Sequence, residues 1–204
     1  VSTTASPSGT TVVPGTSVSD TATIGFTPAS GPMPTGTVKF FLCQPSEVTS
    51  GGCEGTAGTQ IGTPAVGETV NGSGEATSES TTNTTTIGTY CWRAEYSGDG
   101  FYLPSSHTNA LTAEAGGVTP ECFTTVKQPS TTVTSASPSG SSVLTGQSAS
   151  DTATVSGGVG QPTPTGTVKF FLCQPSEVTS GGCEGTAGTQ IGTPAEGETL
   201  DGSG

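Results

Sequence analysis

The run Pro34–Ala65, PTGTVKFFLCQPSEVTSGGCEGTAGTQIGTPA, recurs without a change at Pro164–Ala195. Upstream, ASPSG at Ala5–Gly9 returns at Ala136–Gly140, and SDTAT at Ser19–Thr23 returns at Ser150–Thr154. A period this long is a whole domain, not one turn of a solenoid. The repeat predicts one complete unit over residues 1–130 and the N-terminal part of a second over 131–204. The second stretch carries no counterpart of Glu75 onward, and so lacks the aromatic-rich run Ile87–Ser97. Such a unit is expected to be incomplete unless further chain or a neighbouring subunit completes it, because its apolar residues would face water.

What one unit can fold into follows from the residues between the motifs. With 32 Gly, 15 Pro and only 29% apolar residues, the chain cannot sustain long helices. Thr favours strands, and Gly and Pro punctuate turns, so the expected class is all-β, a sandwich or barrel of short strands. Val18–Phe26 alternates, with Asp20 interrupting its apolar side. Thr37–Cys43 is the densest apolar run, with Val38, Phe40 and Leu42 on one face and Lys39, Phe41 and Cys43 on the other. A short strand is expected around Gln60–Ile61, a polar edge strand over Gly74–Thr82 and the strongest strand over Ile87–Ser97. Phe101–Ala115 and Val118–Val126 are expected to return along the sheet, interrupted at Gly116–Gly117.

The formal net charge is −12, against four basic residues: Lys39, Arg93, Lys127 and Lys169. Such a chain cannot neutralise a row of phosphates, so a nucleic-acid partner is excluded as an expectation, and an anionic membrane surface is disfavoured. No amphipathic or membrane-spanning helix and no signal peptide is legible. Cys43, Cys53, Cys91, Cys122, Cys173 and Cys183 form no CxxC pair, and there is one histidine, so metal-site spacing is absent. An even number of cysteines in a chain with so small a core points to disulfides and an oxidising compartment. Local pairing of Cys43 with Cys53, copied by Cys173 with Cys183, leaves Cys91 for Cys122 and staples a protruding loop at Gln44–Gly52. This is favoured because unit two holds only the first two cysteines. A sheet-to-sheet bridge between Cys43 and Cys91 is the alternative.

Gly36-Thr37-Val38-Lys39-Phe40, Ile61-Gly62, Gly88-Thr89-Tyr90 and Ala94-Glu95-Tyr96-Ser97-Gly98-Asp99 together resemble the bacterial immunoglobulin-like repeat domains of the group-3 type. The resemblance spans nearly all of residues 1–130 and the early strands of 131–204. It implies tandem immunoglobulin-like sandwich modules in the stalk or repeat array of a secreted or cell-surface protein. The cysteines and longer loops depart from the common pattern of that family.

Candidate chemistry is sparse. Trp92 is the natural core plug, and an aromatic platform for a glycan is the sharper alternative. Phe101 and Tyr102 in the 97–107 region, Trp92, and Phe170 and Leu172 of the second unit are the candidate ligand or assembly surface. His107 lacks an evident nucleophile and orienting acid. Asp99 with Asp20 or Glu95 is a weak calcium set, against a turn aspartate that serves its own backbone. Lys39 and Asn109 offer a weak crosslink pair, against a snorkelling lysine. Asn71 and Asn83 head sequons, and Asp201 stands in the place of Asn71 in the second copy.

The expected function is therefore a non-catalytic structural module of an extracellular stalk or fibre. Its expected partners are other modules of the same protein or copies of itself, with no cofactor. An adhesin-type module, binding a surface glycan or protein through loop 44–52 or the 97–107 hairpin, is the second reading.

Overall fold

The computed structural model describes all residues except 28–29, 63–65, 109–120, 141, 160–161, 193–195 and 203–204. It divides into two compact units, Val1–Lys127 and Gln128–Gly204. Every described element is a strand, a turn or irregular.

Among the described residues, unit 1 holds ten strands. They are β1 (Ser2–Ser6), β2 (Thr11–Val12), β3 (Ser19–Thr23), β4 (Thr37–Cys43) and β5 (Thr59–Ile61). β6 (Glu68–Thr69), β7 (Glu75–Thr77), β8 (Gly88–Tyr96), β9 (Ser105–Thr108) and β10 (Cys122–Thr125) follow. β1, β3 and β7 form one antiparallel sheet, with the polar strand β7 at its edge. The larger sheet runs β2–β10–β8–β4–β5, with β6 also on β4 and β9 also on β8. β2 joins β10 in parallel.

Alternation explains how the two sheets share a core. Val38, Phe40 and Leu42 of β4 and Tyr90, Trp92, Ala94 and Tyr96 of β8 are buried in one cluster. Ala5 of β1, Ala22 of β3 and Ala76 of β7 join it from the smaller sheet, with Ile24 just after β3. Phe123 of β10 lies opposite Tyr90 in register, and the two rings stack at 5.3 Å between centroids. Each fully buried large apolar side chain contributes roughly 1.5–3 kcal/mol relative to exposure. Trp92 is the largest of these side chains.

The entry to β4 is locked by its glycine. Gly36 has φ 94°, and a Cβ there would stand 2.6 Å from the carbonyl oxygen of Gly98. Only glycine permits that left-handed backbone and that approach without strain. The contact brings Pro34-Thr35-Gly36 against Ser97-Gly98-Asp99, two motifs far apart in the chain. Ser97 N–H donates to the Thr37 carbonyl at 2.9 Å, and Thr37 N–H donates to Ser97 Oγ at 3.0 Å.

Unit 2 contains β11 (Thr131–Ser137), β12 (Ser150–Ser156), β13 (Thr167–Val168), β14 (Phe170–Leu172), β15 (Thr189–Ile191) and β16 (Glu198–Thr199). They pair as three separate two-stranded ladders: β11–β12, β13–β16 and β14–β15. Repeated sequence keeps its register, since Phe170 faces Ile191 as Phe40 faces Ile61. Burial differs. Val155 is the one described hydrophobic of unit 2 that is buried, whereas unit 1 encloses the whole cluster above.

Candidate functional site

Three of the four cysteines of unit 1 form a row across three strands. Cys43 lies opposite Cys91, and Cys91 opposite Cys122, in the β4–β8–β10 ladders. The disulfides are Cys43–Cys53, Cys91–Cys122 and, in unit 2, Cys173–Cys183. The first two pack together as a second buried cluster, with Val48 and Ala57 against it. The expected protrusion at Gln44–Gly52 is therefore absent. The loop folds back over the outer face of β4 and β8, because its cystine anchors it there and Val48 finds an apolar seat. Glu47 holds the fold-back, its carboxylate accepting from Gln44 N–H at 2.8 Å and Gly58 N–H at 3.3 Å.

Arg93 secures the same face. Its Nε donates to the Ala57 carbonyl at 2.7 Å, and its guanidinium lies 3.7 Å from the centroid of the Phe41 ring. It also pairs with Glu95. β8 is thus covered on both sides at its middle, by the aromatic core and, over Cys91 and Arg93, by a cystine-pinned loop.

The 97–107 region makes the most structured surface feature. The Asp99 carboxylate accepts from Thr35 N–H at 2.7 Å, Thr35 Oγ1 at 2.9 Å, and the N–H groups of Phe101 and Tyr102, both at 2.8 Å. These donors, Thr35 N–H foremost, hold its pKa well below the ordinary carboxylate range. Tyr96 O–H donates to the Thr35 carbonyl at 2.6 Å, and Tyr102 O–H to the Pro32 carbonyl at 2.6 Å. Burial, then the Asp99 charge, raises the Tyr96 phenol. Beside them opens a cleft of about 440 Å³ lined by Ile24, Phe26, Tyr96, Tyr102, Leu103 and Ser105, among others. Phe26 and Tyr102 meet there at 5.8 Å between centroids. Leu103, in its lining, is 86% exposed, and Phe101, next to Tyr102 in the chain, is 77% exposed.

The remaining sequence candidates separate. Trp92 is fully enclosed and has no face to offer a ligand, the opposite of Phe101. Its indole N–H finds no acceptor among the described residues. Phe170 is half-buried and Leu172 exposed, both in unit 2. The calcium set does not assemble: Asp99 serves its own turn, Glu95 pairs with Arg93, and Asp20 lies in the core. No group of three metal-ligating side chains occurs among the described residues. His107 is half-buried, its Nδ1 2.7 Å from Thr3 Oγ1. Asn109 and the Gly116–Gly117 interruption lie outside the described residues. Asn71 caps its own turn, with Oδ1 accepting from Ser73 and Glu75 N–H groups, a role Asp also fills. Among the described residues no helix is long and apolar enough to cross a membrane.

Sequence reasoning did not find the acid pair of the core. Asp20 and Glu121 are both buried, from opposite sheets. Burial, then the adjacent Glu121 carboxylate, pushes Asp20 up to about 8. Asp20 therefore holds its proton to higher pH than an ordinary carboxylate. The one available signal was Asp20 on the apolar side of an alternating strand. Glu121 had no such marker. No family model, no curated protein and no solved structure matches this chain.

Proposed function

We propose that this chain is part of an extracellular, repetitive surface protein, whose immunoglobulin-like modules serve as non-catalytic spacers in a stalk or fibre. The observation that carries this reading is the double cover of β8 in unit 1, with its cystine staple repeated as Cys173–Cys183 in unit 2. A strand clamped between an aromatic core and a disulfide-pinned loop favours resistance to unfolding over motion at a site. Three disulfides fit an oxidising compartment. The acidic, lysine-poor exterior favours solubility and mutual repulsion outside the cell.

The test is mechanical. Pulling the oxidised full chain by its ends should give a force peak for unit 1. The extension released should fall short by the segments enclosed between Cys43–Cys53 and Cys91–Cys122, and reduction should restore it. Extension without a resolvable peak would count against a spacer under tension. Free cysteines in protein isolated from its producing cells would count against the oxidising location.

The cleft lined by Phe26, Tyr96 and Tyr102, with Leu103 exposed in its lining and Phe101 exposed next to Tyr102 in the chain, favours adhesion as a second reading. Aromatic faces beside hydroxyls suit a sugar ring. Saturable binding on a glycan array, lost in Phe101→Ser with Leu103→Ser, would move the assignment from spacer to adhesin.

A further inference from the structure

Of the three asparagines, Asn71, Asn83 and Asn109, Asn71 alone precedes a glycine. It lies between β6 and β7, in the turn that carries the chain from the larger sheet to the smaller. Asn71, Gly72 and Ser73 are all exposed. The backbone closes this turn. Asn71 N–H donates to the Glu75 carbonyl at 2.7 Å, and Gly74 N–H donates to the Asn71 carbonyl at 3.0 Å.

Two features of the turn act on the Asn71 side-chain amide. Its Oδ1 accepts from Ser73 N–H at 2.8 Å and Glu75 N–H at 3.1 Å, so two dipoles draw electron density away from Cγ. The same donors would hold an oxyanion forming at Oδ1. The next nitrogen along the chain, that of Gly72, makes no hydrogen bond among the described residues. Glycine also brings no Cβ to crowd it. A polarised amide carbon and an unengaged nitrogen one residue on are the two reactants of cyclic imide formation.

We propose that Asn71 is a self-modifying site, converted to aspartate and isoaspartate through a cyclic imide with Gly72. The Gly72 nitrogen gives its proton to hydroxide and attacks Asn71 Cγ, forming a C–N bond. The Cγ–Nδ2 bond then breaks, and the side-chain nitrogen takes a proton from water and leaves as ammonia. Water opens the imide at one carbonyl to give aspartate, or at the other to give isoaspartate. The net change consumes one water, releases one ammonia and adds a negative charge to a chain already at −12. The turn accommodates the first product, because a carboxylate keeps both N–H bonds and makes them charge-assisted. The second copy encodes that form directly, as Asp201 followed by Gly202. Isoaspartate instead inserts an extra carbon into the backbone and lengthens the turn that leads into β7. The inference does not depend on the role of the module in its parent protein.

The test incubates the oxidised full chain in warm, mildly alkaline buffer, beside a free peptide of sequence 70–75. Isoelectric focusing, peptide mapping and labelling by an isoaspartyl methyltransferase follow the reaction. A more acidic species is expected, mapped to Asn71, with isoaspartate present and Asn83 unchanged over the same period. An Asn71→Asp chain marks where that species should focus. Gly72→Ala should slow the conversion about tenfold, because a side chain at this position hinders the attacking nitrogen. A Cβ there meets nothing within 4 Å, so this variant keeps the fold of the parent. Asn71 still intact after the free peptide has converted would overturn the inference, since the fold would then shield the amide. So would conversion of Asn83 at the same rate, or a Gly72→Ala chain as fast as the parent, because neither fits ring closure through Gly72.

Discussion

Cys43 and Cys91 stand directly opposite each other across β4 and β8, and neither bonds to the other. Each turns instead to another partner, Cys43 to Cys53 in the loop and Cys91 to Cys122 on the neighbouring strand β10. The arrangement places a thiol and a disulfide within exchange distance whenever one partner is lost, because opposite residues in an antiparallel ladder have Cβ atoms about 4.5–5.5 Å apart. Cys53→Ala should therefore not simply leave Cys43 free. Its thiolate is positioned to attack Cys91–Cys122 and release Cys122. Peptide mapping after alkylation should find label on Cys122 as well as Cys43, increasingly at alkaline pH. Label confined to Cys43 would show that the sheet holds the sulfurs apart.

Arg93 is buried while its acidic partner Glu95 is half in water, so the ion pair itself adds little. The stabilisation lies in the bond to the Ala57 carbonyl and the stacking on Phe41. Arg93→Ala should lower the stability of unit 1 by about 2–3 kcal/mol, from a charge-assisted hydrogen bond and a desolvated cation–π contact. Arg93→Lys should recover less than half, because an ammonium cannot reproduce the planar stack. Urea midpoints of the two variants check this. Equal stability of the lysine variant and the parent chain would remove the planar contact from the account.

The two perturbed aspartates pull stability in opposite directions with pH. Asp20 binds its proton more tightly folded, at about 8, than unfolded, at about 3.8. Its contribution is fully present below the unfolded value and is lost as pH rises through about 8. Asp99 is held below its unfolded value, so its contribution is present above about 3.8 and lost on acidification. Unit 1 should be most stable in mildly acidic solution. Asp20→Asn should flatten the alkaline limb of thermal melts between pH 5 and about 8, and Asp99→Asn the acid limb. A parent chain whose melting temperature rises steadily from pH 5 to 9 would contradict the buried pair.

The all-β class and the local cystines were legible because they are written in local chemistry. Gly and Pro spacing set the turns, Val38, Phe40 and Leu42 alternate, and the second copy holds two cysteines only. β1 was not legible, since Ser2–Ser6 buries only Thr3 and Ala5 and carries no large apolar residue. The parallel pairing of β2 with β10 joins Thr11 to Thr124, a separation at which sequence holds no register signal. The fold-back of loop 44–52 also escaped, because a loop composition states how a segment turns and not what it lies on. The Pro-Thr-Gly and Ser-Gly-Asp motifs were visible as a family resemblance. Their physical content, a glycine packed on a carbonyl and an aspartate tying one motif to the other, came only with the geometry.

Trp92 is the single tryptophan and lies at the centre of unit 1, so its fluorescence reports on that unit alone. Enclosed among apolar side chains and without an acceptor for its N–H, it should emit at short wavelength in the native state. Among the described residues unit 2 has no comparable enclosed cluster, and its Cys173–Cys183 staple closes a short segment only. A closed loop of this size contributes up to about 3 kcal/mol by limiting the unfolded chain, which does not replace a missing core. Two transitions in urea are therefore expected from one molecule. Hydrogen exchange should show Val133, Val155 and Phe170 losing protection at low denaturant while Trp92 emission is unchanged. Unit 1 should follow at higher denaturant with the red shift of Trp92. Coincident loss of protection in both units with the fluorescence change would mean that they fold as one cooperative body.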